Sequence, residues 1–535
     1  TVYRAILMGR AVFGHGSHSA MFPPGPVRQP MSGCFIAEPS MHNRLAEFRF
    51  WPLFLLLLLV FSPPSIRECA AEPGVRPSII FIMVDDLGKE WVGSYGGEGV
   101  STPNIDRLAA SGMSVGNAYS TPQCTPTRAT LLTGQYPFRH GWVNHWDVPR
   151  WGRGCHFDPE RNPSIGRVLK SAGYSTCVAG KWQINDFRIQ PAVLNDLGFD
   201  EYCLWTGFET GVPASRERYW DAYLHTQDGS KTCSGEFGPD ICNEVLCEFI
   251  RRQAADEPFF VYYPMILPHG PLTTTPHRPQ AARRERHEAM VEYVDFLVGK
   301  LVATLEETGW REDTIIIWTT DNGTSRGIAN RLNGRLVRGG KGQTLENGTC
   351  EPLIVNCPGL VPEGVTTEAL TDFTDLLPTF AELAGAELPT GYVIDGQSFA
   401  PLILGKTDDG PREWIMSMGG GPATYDEQGR VINLYRYRDR VIRDKRFKLY
   451  VETDRSAVKL VDLQQDPDER TNLIDDPRYA EAVTRLRDVE RQFPAEDASP
   501  RYTPLPAQAW DLVLQNPGRV SGLKGLPSNA MNKKP

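Results

Sequence analysis

Two acidic pairs, one cysteine and several isolated cations are the positions in this chain whose types and spacing suit chemistry. Asp85-Asp86 follows the apolar run from Ser78 to Val84, and Asp321-Asn322 follows the run from Thr314 to Thr320. Three carboxylates and an amide oxygen form a hard, all-oxygen set, suited to Ca²⁺ or Mg²⁺ rather than zinc. Acidic residues also end strands as turn formers, so either pair alone is a weak signal. The segment Cys124-Thr-Pro-Thr-Arg128-Ala-Thr-Leu-Leu-Thr-Gly134 places a cysteine just before a helix with Pro126 in its first turn and Gly134 at its end. The start of that helix offers free N–H groups and a partial positive charge to an anion, and Arg128 lies on the face below Cys124.

These residues need elements that bring them together. The unbroken apolar runs at Ser78–Val84, 176–179, 259–263 and 314–320 suit strands buried on both faces. Helical patterns lie between them: 102–112, 164–173 and 284–308, the last with Met290, Val294, Leu297, Leu301 and Leu305 on one face. This alternation predicts an α/β fold with a large, doubly wound, mostly parallel sheet flanked by helices, whose ligands bind beyond the carboxyl ends of the strands. Around 401–411 the pattern breaks into Gly, Asp and Pro. Short alternating segments at 440–450 and 457–462 and an amphipathic helix near 479–493 then predict a smaller C-terminal α+β domain with a short antiparallel sheet. The catalytic domain is read over 72–405 and the C-terminal domain, with an irregular tail, over 406–535.

The chain resembles the type I sulfatases of the alkaline phosphatase superfamily, from Val84-Asp-Asp-Leu-Gly88 through Cys124-Thr-Pro-Thr-Arg128 to Asp462-Leu-Gln-Gln-Asp-Pro467 and Thr471-Asn-Leu473. That resemblance implies that Cys124 is oxidised to Cα-formylglycine by a formylglycine-generating enzyme, and that the hydrated aldehyde attacks sulfur. It implies that Asp85, Asp86, Asp321 and Asn322 hold one Ca²⁺, Mg²⁺ fitting less well, which also contacts position 124 and a sulfate oxygen. Lys181 in Gly180-Lys181-Trp182 and Lys341 in Gly339-Gly340-Lys341-Gly342 match the sulfate-binding lysines, and His269 after Pro268 matches the histidine that contacts the leaving oxygen. Arg139-His140-Gly141 also resembles the family, with no catalytic role assigned to His140. One position departs: where the family has a histidine two residues after the lysine, this chain has Gln183, which can donate a hydrogen bond but is neither an acid nor a base near neutral pH.

Composition limits the alternatives. The chain has 535 residues, 56 basic against 65 acidic, for a formal charge of −9, which argues against a nucleic-acid partner. Trp51 to Phe61 is an 11-residue apolar run, too short for a span that takes about 20 residues. Residues 41–71 therefore read as a signal peptide for export without a stable membrane anchor, and 1–40 as a non-native upstream extension. That leader holds six basic and three acidic residues, leaving 50 against 62, or −12. Eleven cysteines are too few for a disulfide scaffold. Once Cys34, Cys69 and Cys124 are set aside, the remaining eight are an even number compatible with disulfides.

The expected substrate is a small sulfate ester or a sulfated polysaccharide. A phosphatase or phosphodiesterase of the same superfamily, and an exported Ca²⁺-stabilised protein that binds sulfated glycans without turnover, are the alternatives. Arg216, Arg218, Tyr219, Trp220 and Asp221 lie in a polar and aromatic insertion that suits either a sugar subsite or ordinary packing.

Overall fold

A computed structural model describes residues 76–143, 156–205, 218–254, 257–420, 423–425, 431–433 and 435–502. The upstream extension, the signal peptide, Cys155, Arg216 and the tail beyond 502 lie outside the described residues. Among the described residues no helix is long and apolar enough to cross a membrane.

The main sheet takes its strands from most of the chain. They are β1 (Ser78–Val84), β2 (Met113–Tyr119), β3 (Ser175–Lys181), β4 (Glu201–Trp205), β5 (Tyr223–Thr226), β6 (Gly229–Thr232), β7 (Phe259–Pro264), β8 (Thr314–Thr320), β11 (Cys350–Asn356) and β12 (Val365–Asp372), with a separate hairpin, β9 (Ala329–Leu332) and β10 (Arg335–Arg338), between β8 and β11. The ten-stranded order is β12-β2-β11-β8-β1-β7-β3-β4-β5-β6. Its middle, β8-β1-β7-β3-β4, is parallel throughout. Antiparallel pairing enters through β11 on one side and β5–β6 on the other.

Both faces are covered, as the unbroken apolar runs predict. Ile79, Phe81 and Met83 of β1 pack into one core with helix Cys124–Thr133, and Ile80, Ile82 and Val84 pack into the other with helices Gly238–Arg251 and Arg286–Thr308. Met290, Val294, Leu297, Leu301 and Leu305 are fully buried. Each such side chain contributes about 1.5–3 kcal/mol by leaving water.

A second, four-stranded antiparallel sheet is ordered β13-β16-β17-β18, with β13 at Ile415–Met418, β16 at Arg440–Arg443, β17 at Phe447–Val451 and β18 at Ala457–Asp462. The two remaining strands, β14 (Ala423–Tyr425) and β15 (Val431–Asn433), pair only with each other. Helix Ala480–Glu490 buries Ala482, Leu486 and Val489 against this sheet. Ile415 joins Tyr119, Cys350 and Leu370 in a cluster linking the two sheets, and Arg443 Nη1 donates to Asn117 Oδ1 of β2 at 2.9 Å.

Disulfide bonding is not what the described cysteines do. Cys177, Cys203, Cys233, Cys242, Cys247, Cys350 and Cys357 are buried free thiols. Five of them, all but Cys350 and Cys357, lie in the core beneath β1 and β7, where a thiol packs as a small apolar side chain.

Three buried histidines make stability pH-dependent. Burial pushes His156 and His287 down to about 4, against the pull of Asp186 and Asp86 respectively, and holds His140 well below its ordinary value. The Trp142 backbone N–H donates to His140 Nδ1 at 3.1 Å, so the neutral ring carries its proton on Nε2, facing Thr130 Oγ1 at 3.1 Å. An unfolded histidine titrates near 6.5. The unfolded chain therefore binds protons that the native state does not, and the stability present above about pH 6.5 is lost as pH falls toward 4. The thermal midpoint should drop across that window, and His156→Gln with His287→Gln should flatten the drop.

Candidate active site

The parallel strands β8, β1, β7 and β3 are neighbours, so their carboxyl ends open on one edge. Asp85-Asp86 leaves β1, Asp321-Asn322 leaves β8, Lys181 ends β3, and His269 follows β7. Backbone bonds lock these exits together: Asp85 N–H donates to Leu267 O at 3.1 Å and Asp321 N–H to Val84 O at 3.0 Å. Gly180 permits the close approach of β3 and β7: its φ is +133°, and a Cβ there would meet Pro264 O at 1.9 Å.

Cys124 is the first residue of helix Cys124–Thr133 rather than the residue before it, and Gly134 closes the helix with φ +64°. All ten helical side chains are buried. Donor atoms of Asp85, Cys124 and Asp321 lie within 4.8 Å of one another, as do those of Asp85, Asp86 and His269. The nine residues singled out by sequence, Asp85, Asp86, Cys124, Arg128, Lys181, His269, Asp321, Asn322 and Lys341, thus converge on one place.

The site is a buried array of charges. Arg128 Nη2 donates to Asp321 Oδ2 at 2.7 Å, and Arg128 Nη1 to Lys181 O at 3.2 Å. Lys181, fully buried, donates to Asp85 Oδ2 at 2.7 Å, and Lys341 donates to Asp86 Oδ1. Asp86 has φ +64° and uses its backbone N–H on Asp321 Oδ1 at 3.1 Å, while Ser325 Oγ donates to its Oδ2 at 2.8 Å. His269 Nε2 lies 3.6 Å from Asp86 Oδ2.

The charges divide the carboxylates. Burial works to raise Asp85, but Lys181, with Arg128, outweighs it and leaves the carboxyl well below the usual range. Burial likewise opposes the ionised form of Asp86, yet Lys341 holds it at about 2. Asp321 goes the other way: burial, then the charge of Asp85, push it well above the usual range against the pull of Arg128.

The donor set fits a hard cation. Asp85 Oδ1 and Asn322 Oδ1 are buried without hydrogen-bond partners, although Asn322 Nδ2 donates to Asp86 Oδ1 at 2.8 Å and so turns its oxygen away from that pair. Buried oxygens left without hydrogens beside two further carboxylates are what a Ca²⁺ or Mg²⁺ ion uses.

Two residues of the site had no settled role in the sequence. Gln183, 4% exposed and with φ +70°, brings Oε1 to 3.6 Å from Cys124 Sγ, so it occupies the place beside the cysteine as a neutral amide. Arg218 does not line an open subsite: it is buried, stacked 4.1 Å over the Trp205 ring, with Nη1 at 2.5 Å from His269 Nδ1 and 2.8 Å from Gly270 O. Its neighbour Tyr219 donates to Ile266 O at 3.1 Å, and the Trp220 indole N–H to Thr274 O at 3.1 Å, so the described part of the insertion packs onto the loop that carries His269.

A family model described as Sulfatase matches residues 77–386, and a second, described as N-sulphoglucosamine sulphohydrolase, C-terminal, matches residues 341–493. The chain belongs to the sulfatase family. It is 32% identical over 374 residues to N-acetylgalactosamine-6-sulfatase of Canis lupus familiaris, covering 65% of this chain and 70% of that one. It is 30% identical over 506 residues to arylsulfatase A of Bos taurus, covering 83% and 93%. Among solved structures, Ps i-CgsB matches with a TM-score of 0.66 at 26% identity, covering 80% of this chain and 94% of its own, and has also been solved in complex with k-i-k-neocarrahexaose. The protein is therefore a type I sulfatase of the alkaline phosphatase superfamily, an enzyme that hydrolyses sulfate esters.

A sulfatase with this donor set should be stabilised by its cation. Chelator-treated protein should gain thermal stability when Ca²⁺ is restored, by about 2.7 kcal/mol at a hundred times the dissociation constant. Asp86→Asn should shrink that gain, and an unchanged melting curve in wild-type protein would contradict the assignment of the site.

Proposed function

We propose that this sulfatase removes sulfate from a carbohydrate or aryl sulfate ester, with Cys124 converted to Cα-formylglycine and Ca²⁺ held by Asp85, Asp86, Asp321 and Asn322. The observation that carries this reading is the clustering of the Cys124, Asp85 and Asp321 donor atoms within 4.8 Å at the start of a buried helix. When present, the hydrated aldehyde supplies an oxygen nucleophile for sulfur, and the cation supplies positive charge beside it. Conversion by a formylglycine-generating enzyme and export behind a cleaved leader belong to the same reading.

The chain's own residues do the remaining work. Arg128, Lys181 and Lys341 outnumber the ionised Asp85 and Asp86, with Asp321 pushed toward its neutral form by burial, so the pocket favours an anion such as sulfate. Lys341 is the most accessible of the three cations, with 17% of its side chain exposed, which supports reading it as the one that meets a sulfate oxygen. His269 is held neutral, because burial outweighs the pull of Asp86 and keeps it well below its ordinary value. His269 Nδ1 lies against both Arg218 Nη1, at 2.5 Å, and Gly270 O, at 2.6 Å, and these two groups fix the ring with Nε2 facing the site. His269 is thereby oriented toward the departing alcohol oxygen, and Arg218 is its positioning residue.

Cys124→Ala should lose on the order of 10³-fold or more in sulfate-ester hydrolysis while keeping the wild-type melting temperature. Parallel assays on a sulfate and a phosphate ester of the same alcohol should favour sulfate; preference for phosphate, or glycan binding without sulfate release, would overturn the reading. Arg218→Met should slow esters of poor alkyl leaving groups by about 10²-fold, but aryl esters far less. An equal loss on both would show that Arg218 supports only the fold.

A further inference from the structure

The excursion between the two halves of the site carries a charge pattern that sulfate-ester cleavage does not use. From Asn322 to Leu345 there are five cations, Arg326, Arg331, Arg335, Arg338 and Lys341, and no acid, in a chain whose formal charge is −9. Lys341 serves the buried carboxylates. The other four lie on or beside the β9–β10 hairpin. Its two-residue turn is Asn333-Gly334, with φ +49° and +79°, the type I′ geometry that suits a hairpin's twist.

The register sorts the hairpin into faces. Arg331 pairs with Leu336 and Ala329 with Arg338; cross-strand partners, and residues two apart, share a face. Ala329, Arg331, Leu336 and Arg338 therefore form one face, and all four are exposed, Leu336 at 55%. The opposite face is turned inward: Val337 is buried, Arg335 pairs with Asp468, and Asn330 Nδ2 donates to the backbone oxygens of Glu90 and Glu98 at 2.7 and 2.8 Å. On the outer side, Arg331 Nη1 reaches only Gly334 O at 2.8 Å, and Arg326 Nε reaches Lys341 O at 2.8 Å. Glu98, at the hairpin's turn, accepts the Gly334 N–H on its carboxylate. Among the described residues no carboxylate is paired with Arg326, Arg331 or Arg338.

We infer that this exposed hairpin face is a docking surface for a sulfated polysaccharide, holding sulfate groups that neighbour the one being hydrolysed. The inference rests on the sulfatase reading and names the substrate class. Charge complementarity favours a polyanion over a single small ester, since the cations extend outward from a pocket that already binds one sulfate. Continuity favours it too: the hairpin leaves the site at Asn322 and returns to it at Lys341, and Arg326 at its base donates to Lys341 O and Gly342 O. The planar guanidinium fork matches sulfate oxygens two at a time, and Leu336 between the arginines offers apolar surface to sugar C–H groups.

The test uses the full chain and the double variant Arg331→Ala/Arg338→Ala, with Arg331→Glu/Arg338→Glu as a graded second variant. Retention on immobilised heparin is measured by salt elution, and steady-state kinetics are measured on a heparin-derived sulfated oligosaccharide and on 4-nitrocatechol sulfate. Both variants should melt with the wild type, elute at lower salt, and show KM for the oligosaccharide raised about tenfold or more, the Glu variant most. Turnover of 4-nitrocatechol sulfate should be unchanged. Co-elution of the variants with the wild type, or an unmoved oligosaccharide KM in an enzyme active on both esters, overturns the docking surface alone. Loss of binding to anionic phospholipid vesicles with unchanged heparin retention assigns the face to a membrane and overturns it as well. A wild type that releases no sulfate from either ester overturns the sulfatase reading itself.

Discussion

The site is arranged around six ionisable groups, withdrawn from water, that must compensate one another. Asp85, Asp86 and Asp321 face Arg128, Lys181 and Lys341 at the carboxyl edge of four adjacent parallel strands. Removing one member of such a pair leaves an uncompensated charge that costs about 3–5 kcal/mol. The array therefore persists only where the backbone holds it rigidly. Parallel strands buried on both faces meet that need, because their register is set by side chains on either side and a one-residue slip would turn a charge into the core. The strained positions follow from the same demand: Asp86 and Gln183 both have positive φ, and Gly180 allows β3 and β7 to approach where any Cβ would collide.

Much of this was legible in the sequence because the signals were physical and local. The runs at Ser78–Val84 and Thr314–Thr320 are strands with those bounds, and Ala457–Asp462 is a strand of the second sheet. The ends of β1 and β8 gave their acidic pairs away, since nothing apolar continues past them. Helix Cys124–Thr133 was marked by its proline and its terminal glycine, although its first residue is the cysteine itself.

What could not be read depends on contacts distant in sequence. A lysine at a strand end is ordinarily solvated, yet Lys181 is fully buried, because Asp85, 96 residues earlier, is its partner. Arg218 looked like either a subsite or packing; only the stacking on Trp205 and the contact with His269, 51 residues away, show what it touches. The hairpin β9–β10 did carry a local signal, the turn pair Asn333-Gly334, but its strands of four residues each, with arginine among the apolar residues, were too brief to register as a pattern. Gln183 is a different case. Its departure from the family histidine was visible in sequence, and its amide oxygen does sit beside Cys124, 3.6 Å from Sγ.

The account depends most on what position 124 becomes. A thiol at the head of this helix explains neither the concentration of cations nor the unbonded oxygens of Asp85 and Asn322; an oxygen nucleophile beside a cation explains both. Mass spectrometry of the tryptic peptide Leu108 to Arg128 from active enzyme measures this directly. The account predicts an aldehyde in place of the Cys124 side-chain CH₂SH. A free, alkylatable thiol in fully active enzyme would contradict it.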